Sequence, residues 1–255
     1  MLLETLATAR DLGRLHEIAS VLVRHGLGDI VRRLGLAGVL ERAGRAIHWK
    51  AAEGLASKTP AQHAREALEA LGPTFVKFGQ ILAGRRDLLP PEWVKELSLL
   101  QEDVPALPFE ELREQLEEDR GGAPETAFRE LDTEPLASAS ISQVHLARLE
   151  DGTRVILKIR RPGIVETAEA ALRLLPRLAE LAERELPELE TYGPKRLVRQ
   201  IARSLRSELD LRQEAANAER LARVLERDEQ IVVPRVYERF TRERLCVQDY
   251  LEGPS

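Results

Sequence analysis

The sequence is poor in cysteine and has no long apolar run. Its 255 residues contain one cysteine, Cys246, which excludes an internal disulfide and a zinc cluster built from cysteines. No uninterrupted apolar run approaches the roughly 20 residues that a membrane-spanning helix needs. Glu4 and Asp11 near the start argue against a secretory signal. We therefore expect cytoplasmic folding, and the apolar run around Cys246 predicts a packing role for this residue.

Lysine is also scarce. The chain has 38 lysines and arginines, of which six are lysine and 32 are arginine. Because arginine fills most cationic positions, a lysine in an apolar context indicates a point contact with a phosphate or carboxylate group. Lys77 and Lys158 fit this description. The net charge of −5 does not favour nucleic-acid binding through a basic surface.

The first half of the sequence has helical patterns. Residues 1–58 carry apolar residues three and four apart, broken by glycines, which predicts a packed helical hairpin; an amphipathic segment at a membrane surface is the alternative. Residues 59–130 are predicted to form a helical extension, in which Pro60 and Pro73 each begin a helix. Two further short helices are predicted to follow, over residues 91–105 and 108–122.

The pattern changes after residue 130. Two strand-like runs, Gln143–Leu149 and Arg154–Ile159, are joined by the turn sequence EDGT and predict a β-hairpin. A loop of small residues precedes the hairpin, helices are expected from Val165 to about Arg227, and short strands follow. This order predicts an α+β fold with a helix packed on a small antiparallel sheet, and residues 131–255 as one lobe.

The loop before the hairpin could bind phosphate. It reads Ala137-Ser138-Ala139-Ser140-Ile141-Ser142, and the second strand after it carries Lys158. In the N-lobe of protein kinases a loop and a strand lysine hold the nucleotide phosphates. This loop has no glycine, so its Cβ atoms would crowd a phosphate. At this point an ordinary hairpin whose lysine reaches solvent remains an alternative.

A second candidate cluster is acidic. Glu208, Asp210 and Glu214 lie in the stretch SELDLRQE, which we predict to be part of one long helix with Asp210 and Glu214 on the same face. A solvated charged face is the usual interpretation of such a pattern. A kinase-like lobe, however, needs a helix glutamate that pairs with its strand lysine, and Glu214 follows Lys158 on a suitable helix.

Four motifs follow one another in the chain: KFGQ from Lys77 to Gln80 with RRDLLP after it, PLASASISQVH, VILK, and ELDLRQEAANAERL. In this order they resemble the UbiB/AarF family of atypical kinase-like proteins. KFGQ matches that family's KxGQ motif, the second motif matches its alanine-rich loop, and Glu208 and Asp210 match its ExD motif. The resemblance covers residues 10–255, and the ordered set is far more specific than any single motif.

The resemblance implies a fold and a nucleotide site. The fold would be a protein-kinase-like N-lobe that ends at the hinge, with a helical N-terminal extension and no C-lobe. ATP or ADP would lie between the loop of residues 137–142 and Lys158, with Asp249 and Leu251 facing the adenine. Glu214 would pair with the lysine and orient it toward the phosphates.

The resemblance also implies an inhibitory helix. In the family, the helix with the KxGQ motif folds over the active-site face. Here it would carry Lys77 and Gln80, and Lys77 would reach Glu208 and Asp210. The helix would then occlude the place where a protein substrate docks.

The sequence contains no kinase catalytic-loop pattern and no Asp-Phe-Gly, so the ligands of Mg²⁺ are expected in the absent C-lobe. The resemblance implies the N-terminal part of an ATPase or atypical kinase that supports the biosynthesis of ubiquinone or a related isoprenoid quinone. The implied partners are a nucleotide, a membrane surface or isoprenoid lipid, and quinone-biosynthesis proteins, with peripheral attachment at the inner face of the cytoplasmic membrane. The alternative is a non-catalytic scaffold or lipid-binding adaptor that keeps the lobe for its surface.

Overall fold

A computed structural model of the protein describes residues 9–42, 44, 57–100, 104–120, 122–228 and 230–253. Within them the chain forms ten α-helices and one four-stranded sheet. The helices are α1 (Ala9–Arg24), α2 (Gly28–Arg33), α3 (Leu36–Arg42), α4 (Pro60–Ala70), α5 (Pro73–Ala83), α6 (Pro91–Leu97), α7 (Phe109–Arg120), α8 (Ile164–Glu185), α9 (Pro194–Leu209) and α10 (Leu211–Leu225). The strands are β1 (Glu130–Ser138), β2 (Ser142–Arg148), β3 (Arg154–Arg160) and β4 (Leu245–Asp249). The helical hairpin predicted over residues 1–58 and the helix predicted over residues 91–105 fall partly outside the described residues, at residues 1–8, 43, 45–56 and 101–103.

The α+β class predicted from the sequence is confirmed by this mixture of helices and antiparallel strands. The chain divides into two compact units, and each unit combines two separate stretches of sequence. The first unit contains Met1–Gln101 and Glu166–Arg203, and the second contains Glu102–Val165 and Ser204–Ser255. The division of the chain into consecutive stretches at residues 58 and 130 stays a prediction.

The first unit is helical. Its core includes Leu15 of α1, Val31 of α2, Leu40 of α3, Phe75 of α5 and Leu174 of α8, which are all buried. On α1 the core residues Leu12, Leu15, Ile18, Ala19 and Leu22 are three and four positions apart, so this helix presents one apolar face to the core.

The second unit is built on the sheet, whose strand order is β1-β2-β3-β4 with all neighbours antiparallel. The predicted hairpin is confirmed as β2 and β3, and Gly152 in its turn has a φ of 85°, which favours glycine. One face of the sheet is buried against α7, where Leu112 and Leu116 pack with Leu157 and Val247. The opposite face is less buried.

The loop predicted over residues 137–142 is shorter than expected. β1 extends through Ser138 and β2 begins at Ser142, which leaves only residues 139–141 between the strands. The sequence does not predict β1 because ELDTEPLAS contains a proline and several acidic residues, which are depleted in strands. The structure accommodates Pro135 because β1 is an edge strand, and its register with β2 is irregular on both sides of this residue.

The prediction of one long helix across residues 204–221 is wrong. α9 ends at Leu209 and α10 begins at Leu211, and Asp210 between them has an extended backbone with φ −107° and ψ 99°. The carboxylate of Asp210 accepts a hydrogen bond from the Arg212 N–H at 3.1 Å and so caps α10. Aspartate is a strong N-cap, and this preference prevails over the helix-forming residues around it. Asp210 and Glu214 therefore do not share a helical face.

Residues 230–253 contain less strand than the sequence predicts. In this described stretch the chain forms β4 and one isolated bridge, between Val236 and Gln248. Cys246 lies in β4, is fully buried and packs with Leu211 and Ala215 of α10. The packing role predicted for Cys246 is thus confirmed.

Candidate functional site

Lys158 lies in the middle of the sheet, on β3. Its register partners are Val144 on β2 and Cys246 on β4, and directly paired residues point to the same face of a sheet. This is the face opposite the α7 core, and the lysine side chain is 29% exposed there. The cation is therefore held on an accessible surface.

Glu214 on α10 accepts a hydrogen bond from Lys158, although the two residues are 56 positions apart in the sequence. The distance from Nζ of Lys158 to Oε2 of Glu214 is 2.6 Å, and 41% of the glutamate side chain is exposed. An exposed ion pair of this kind contributes at most about 1 kcal/mol to stability. Its main effect is geometric, because it fixes the direction of the ammonium group.

Two arginines hold the start of α10. The guanidinium of Arg212 donates to the carboxylate of Asp210 at 2.8 and 2.9 Å, and this contact lowers the pKa of Asp210. Arg160, buried at the end of β3, donates to the carbonyl of Leu209 and to the carboxylate of Glu243 at 3.0 Å. The helix that carries Glu214 is thus anchored to the strand that carries Lys158.

The accessible face contains apolar side chains that the sequence analysis did not single out. Val144 pairs with Lys158, and Leu146 pairs with Ile156, which also pairs with Gln248 on β4. All four of these neighbours of the lysine are partly exposed. Counting every second residue from Lys158 along β3 would have found Ile156, because side chains alternate between the two faces of a strand.

The covering loop, residues 137–142, closes the β1–β2 hairpin. The N–H of Ala139 donates to the carbonyl of Ser142 at 2.9 Å, and the hydroxyl of Ser138 accepts a hydrogen bond from Arg161 at 2.9 Å. Ser140 is 1% exposed, and its hydroxyl has no hydrogen-bond partner among the described residues. A buried polar group without a partner costs about 1–3 kcal/mol.

Asp249 and Leu251 lie at the end of β4 and just beyond it. The carboxylate of Asp249 accepts hydrogen bonds from the Tyr237 hydroxyl at 2.8 Å and from the Arg235 N–H at 3.1 Å. Asp249 pairs with Val155, so its side chain points to the face opposite Lys158. Leu251 is 45% exposed. A ligand on the Lys158 face would meet the backbone of Asp249 and not its carboxylate.

The KFGQ sequence lies on α5 in the first unit. Gly79 is buried, and a Cβ atom there would overlap the Leu100 side chain and lie 2.8 Å from Leu68. Gln80 donates from Nε2 to the carbonyl of Leu100 at 3.1 Å. The glycine and the glutamine therefore hold α5 closely against Leu100. Lys77 is partly exposed on the same helix.

Lys77 belongs to the first unit, whereas Glu208 and Asp210 belong to the second. Glu208 is partly buried in the last turn of α9. The contact predicted between Lys77 and these two acids stays a prediction.

The remaining chemistry of the site is limited. Burial raises the pKa of the Cys246 thiol to about 11, and the nearby carboxylate of Glu214 acts in the same direction, so the thiol stays protonated. In the part of the chain that the structure describes, no group of three or more His, Cys, Asp or Glu residues could hold a metal ion. Among the described helices, none has both the length and the apolar character to cross a bilayer.

A small antiparallel sheet, a strand lysine paired with a helix glutamate and a hairpin loop beside them define a kinase-like lobe. A family model, the ABC1 atypical kinase-like domain, matches residues 99–255, which is more than half of the chain. The chain belongs to the ABC1 atypical kinase-like family.

Curated relatives carry the name "Probable protein kinase UbiB", so the resemblance to UbiB predicted from the motifs is confirmed. The relative from Aeromonas hydrophila is 40% identical over 251 residues, and the one from Aliivibrio fischeri is 36% identical over 247 residues. Each match covers 96% of this chain and 45% of the relative, so the chain spans about half the length of the curated relatives it matches. The solved structure of Rv3197 from Mycobacterium tuberculosis, in complex with erythromycin, is 28% identical with a TM-score of 0.49, covering 69% of this chain and 44% of that chain.

Proposed function

We propose that the chain forms the nucleotide-binding lobe of an atypical kinase-like ATPase, in which ATP or ADP lies between the covering loop and Lys158. The observation that carries this proposal is the 2.6 Å ion pair between Lys158 and Glu214. In protein kinases a strand lysine must pair with a helix glutamate before it can contact the nucleotide phosphates. Since an exposed pair adds little stability, orientation of the lysine toward a ligand accounts better for its geometry.

Other residues fit a nucleotide. The hydroxyl of Ser140 is buried in the covering loop without a hydrogen-bond partner among the described residues, and it would donate to a phosphate oxygen only if nucleotide binding exposed it. Val144 and Ile156 give the accessible face an apolar surface close to Lys158, which suits a flat base. Leu251 would add to this surface, and Asp249 would contribute through its backbone. We assign the Mg²⁺ ligands to the part of the relatives that this chain does not span.

The KxGQ helix is proposed to control access to the lobe. The packing of Gly79 and the hydrogen bond of Gln80 give α5 a fixed position within its own unit. The family resemblance assigns Glu208 and Asp210 as the charged partners of Lys77 on this helix. Occlusion of the protein-substrate face by this helix would favour ATP hydrolysis or a small substrate over a protein substrate.

The pathway is proposed from the relatives. Their UbiB name and the motif resemblance support a role in the biosynthesis of ubiquinone or a related isoprenoid quinone. The lobe would then work at a membrane surface on an isoprenoid lipid or beside other quinone-biosynthesis proteins.

Thermal unfolding of the chain with Mg-ATP and with Mg-ADP tests the nucleotide proposal. A nucleotide at a hundredfold excess over Kd should raise Tm by about 5 °C or more. Lys158→Ala should abolish this rise. Lys195→Ala is the matched control, because Nζ of Lys195 also pairs with a glutamate, Glu183, at 2.7 Å, yet it lies in the first unit.

The outcomes separate the competing functions. If Lys158→Ala leaves the nucleotide-induced rise unchanged, the assignment of that lysine is wrong. If the unmutated chain responds to neither nucleotide, the non-catalytic scaffold or lipid-binding adaptor becomes the better hypothesis. Lys77→Ala should change nucleotide affinity, and an effect on Tm alone would argue against the inhibitory helix.

A further inference from the structure

Arg161 connects the covering loop to a separate segment of the chain. It follows β3 directly, and its backbone N–H donates to the carbonyl of Ile141 in the loop at 2.9 Å. Its guanidinium donates from one nitrogen to the hydroxyl of Ser138 at 2.9 Å. The other nitrogen donates to the carbonyl of Pro105, also at 2.9 Å. One side chain therefore bridges the hairpin and residues 104–108, which precede α7.

The 104–108 segment is itself fixed to the sheet. The buried side chain of Gln143 on β2 accepts a hydrogen bond from the Leu107 N–H at 2.9 Å and donates to the Leu107 carbonyl at 3.1 Å. Gln143 is the register partner of Ser138. The two hydrogen bonds between Gln143 and Leu107 fix the 104–108 segment to β2 independently of Arg161. The Pro105 carbonyl is therefore a fixed acceptor for the Arg161 guanidinium.

The covering loop needs such a support. In the described sheet β1 is an edge strand with β2 as its neighbour; it is largely exposed, and its register with β2 is irregular. Strand pairing with β2 holds the loop on one side, and the bond from Ala139 to Ser142 closes the hairpin within the loop itself. The contacts of Arg161 with Ile141 and Ser138 connect the loop to the end of β3. A planar guanidinium can hold two acceptors in a fixed geometry, which an ammonium cannot do.

The cation is used in an unusual way. Both acceptors of its guanidinium are neutral oxygens, and among the described residues no carboxylate lies within ion-pair distance. Burial lowers the pKa of Arg161, with Glu111 acting at longer range in the opposite direction. Because Arg161 donates to the Ser138 hydroxyl and to the Pro105 carbonyl, its role is to position the loop relative to the 104–108 segment.

We propose that Arg161 is a positioning residue for nucleotide binding, which braces the covering loop against the 104–108 segment and so holds the loop in its binding conformation. This inference rests on the proposed nucleotide site. A loop that is ordered before binding gives higher affinity because less conformational freedom is lost when the ligand binds. Removal of the brace should therefore free the loop and weaken binding.

The test measures loop order and affinity separately. Hydrogen exchange of the Ala139 amide reports loop opening without any nucleotide, and titration calorimetry with Mg-ADP and with Mg-ATP reports affinity. Arg161→Gln should speed exchange about tenfold and raise Kd about tenfold. Arg161→Lys keeps the positive charge but loses the planar guanidinium that can donate to two acceptors at once. It should produce most of the increase in exchange rate and in Kd that Arg161→Gln produces.

Two further variants control for general damage. Arg148→Gln removes an arginine from the opposite end of the same hairpin, where it contacts Glu130 at 2.9 Å and the Gly152 carbonyl, and it should change neither readout. Ser138→Ala removes only the loop acceptor. Ser138→Ala should also speed exchange and raise Kd. The double variant Ser138→Ala/Arg161→Gln should show no faster exchange and no higher Kd than Arg161→Gln alone, because both changes break the same hydrogen bond between Arg161 and Ser138.

Each result decides something. Unchanged exchange in Arg161→Gln overturns the brace, and faster exchange with unchanged Kd overturns its role in binding. An equal effect of Arg148→Gln would reduce the finding to general loss of stability and overturn the proposal as well. If the unmutated chain binds neither nucleotide, the nucleotide site fails, while the exchange data still show whether Arg161 holds the loop.

Discussion

Gly79 is a position where a single added methyl group should disturb the packing of the first unit. The residue lies inside α5 with ordinary helical backbone, so alanine is compatible with its conformation. The obstacle is space, because a Cβ atom would overlap the Leu100 side chain and lie 2.8 Å from Leu68 Cδ1. Leu100 is 4% exposed and packs with Val76 and Leu97, so it has little room to move.

The magnitude of the Gly79→Ala effect follows from three contributions. Overpacking of a buried site costs about 1–3 kcal/mol. Alanine has a higher helix propensity than glycine, which stabilises the variant by about 1 kcal/mol and offsets part of this cost. Displacement of Leu100 would also break the hydrogen bond from Gln80 to the Leu100 carbonyl, at about 1 kcal/mol. The expected net destabilisation is about 1–3 kcal/mol.

Urea unfolding followed by circular dichroism measures this difference. Gly84→Ala, at the C-cap of the same helix, is the matched control, because its Cβ atom would meet nothing closer than the Ile81 carbonyl at 3.4 Å. It should be neutral or slightly stabilising. Leu100→Ala removes the obstructing side chain, so the Gly79→Ala/Leu100→Ala double variant should be more stable than the sum of the two single effects predicts.

A neutral or stabilising effect of Gly79→Ala would refute the close packing of α5 on Leu100. Strict additivity in the double variant would refute the specific overlap with Leu100, even if the single variant is unstable.

Two other perturbations have defined outcomes. Asp210→Ala should destabilise the chain by about 1 kcal/mol at pH 7, because it removes the N-cap of α10. Since Arg212 lowers the pKa of Asp210 in the folded state, the difference between the variant and the unmutated chain should be complete above the unfolded pKa of about 4 and disappear as the pH falls through the lower folded value; a constant difference down to pH 2 would contradict this. Cys246 is fully buried with a pKa of about 11, so a disulfide reagent at pH 8 should label the native chain at least about a hundredfold more slowly than the chain in urea, and rapid native labelling would contradict the packing of β4.

Local signals in the sequence were sufficient for most elements. The Asp-Gly pair between two apolar runs predicted the β2–β3 hairpin, and Pro60 and Pro73 marked the starts of α4 and α5. These signals work because turn geometry and helix initiation depend on residues only a few positions apart.

Two features were not predicted because their cause is not local. β1 contains Pro135 and acidic residues, and it forms a strand only because β2 offers it an edge. The break between α9 and α10 at Asp210 lies among helix-forming residues, without glycine or proline. It is stabilised by the hydrogen bonds from Arg212 to Asp210 and from Arg160 to the Leu209 carbonyl. Both depend on partners distant in the sequence or on a capping bond that competes with helix continuation.

The candidate site was partly predictable. Alternation along β3 gives the face on which Lys158 lies, but no local rule brings Glu214 to it across 56 positions. That pairing was predicted from the needs of a kinase-like lobe and from the motif resemblance. Arg161 carried no signal, because an arginine after a strand is common in a chain with 32 of them.

The two units are interleaved along the chain, and this sets an order of folding during synthesis. β2 and β3 leave the ribosome before β4, which is the second pairing partner of β3. The whole stretch Glu166–Arg203 of the first unit is synthesised between β3 and β4. Until then β3 has an open edge that can pair with another chain. The first unit can complete its core before the sheet is closed. Newly made chains should therefore depend most on chaperones in the interval before β4 emerges.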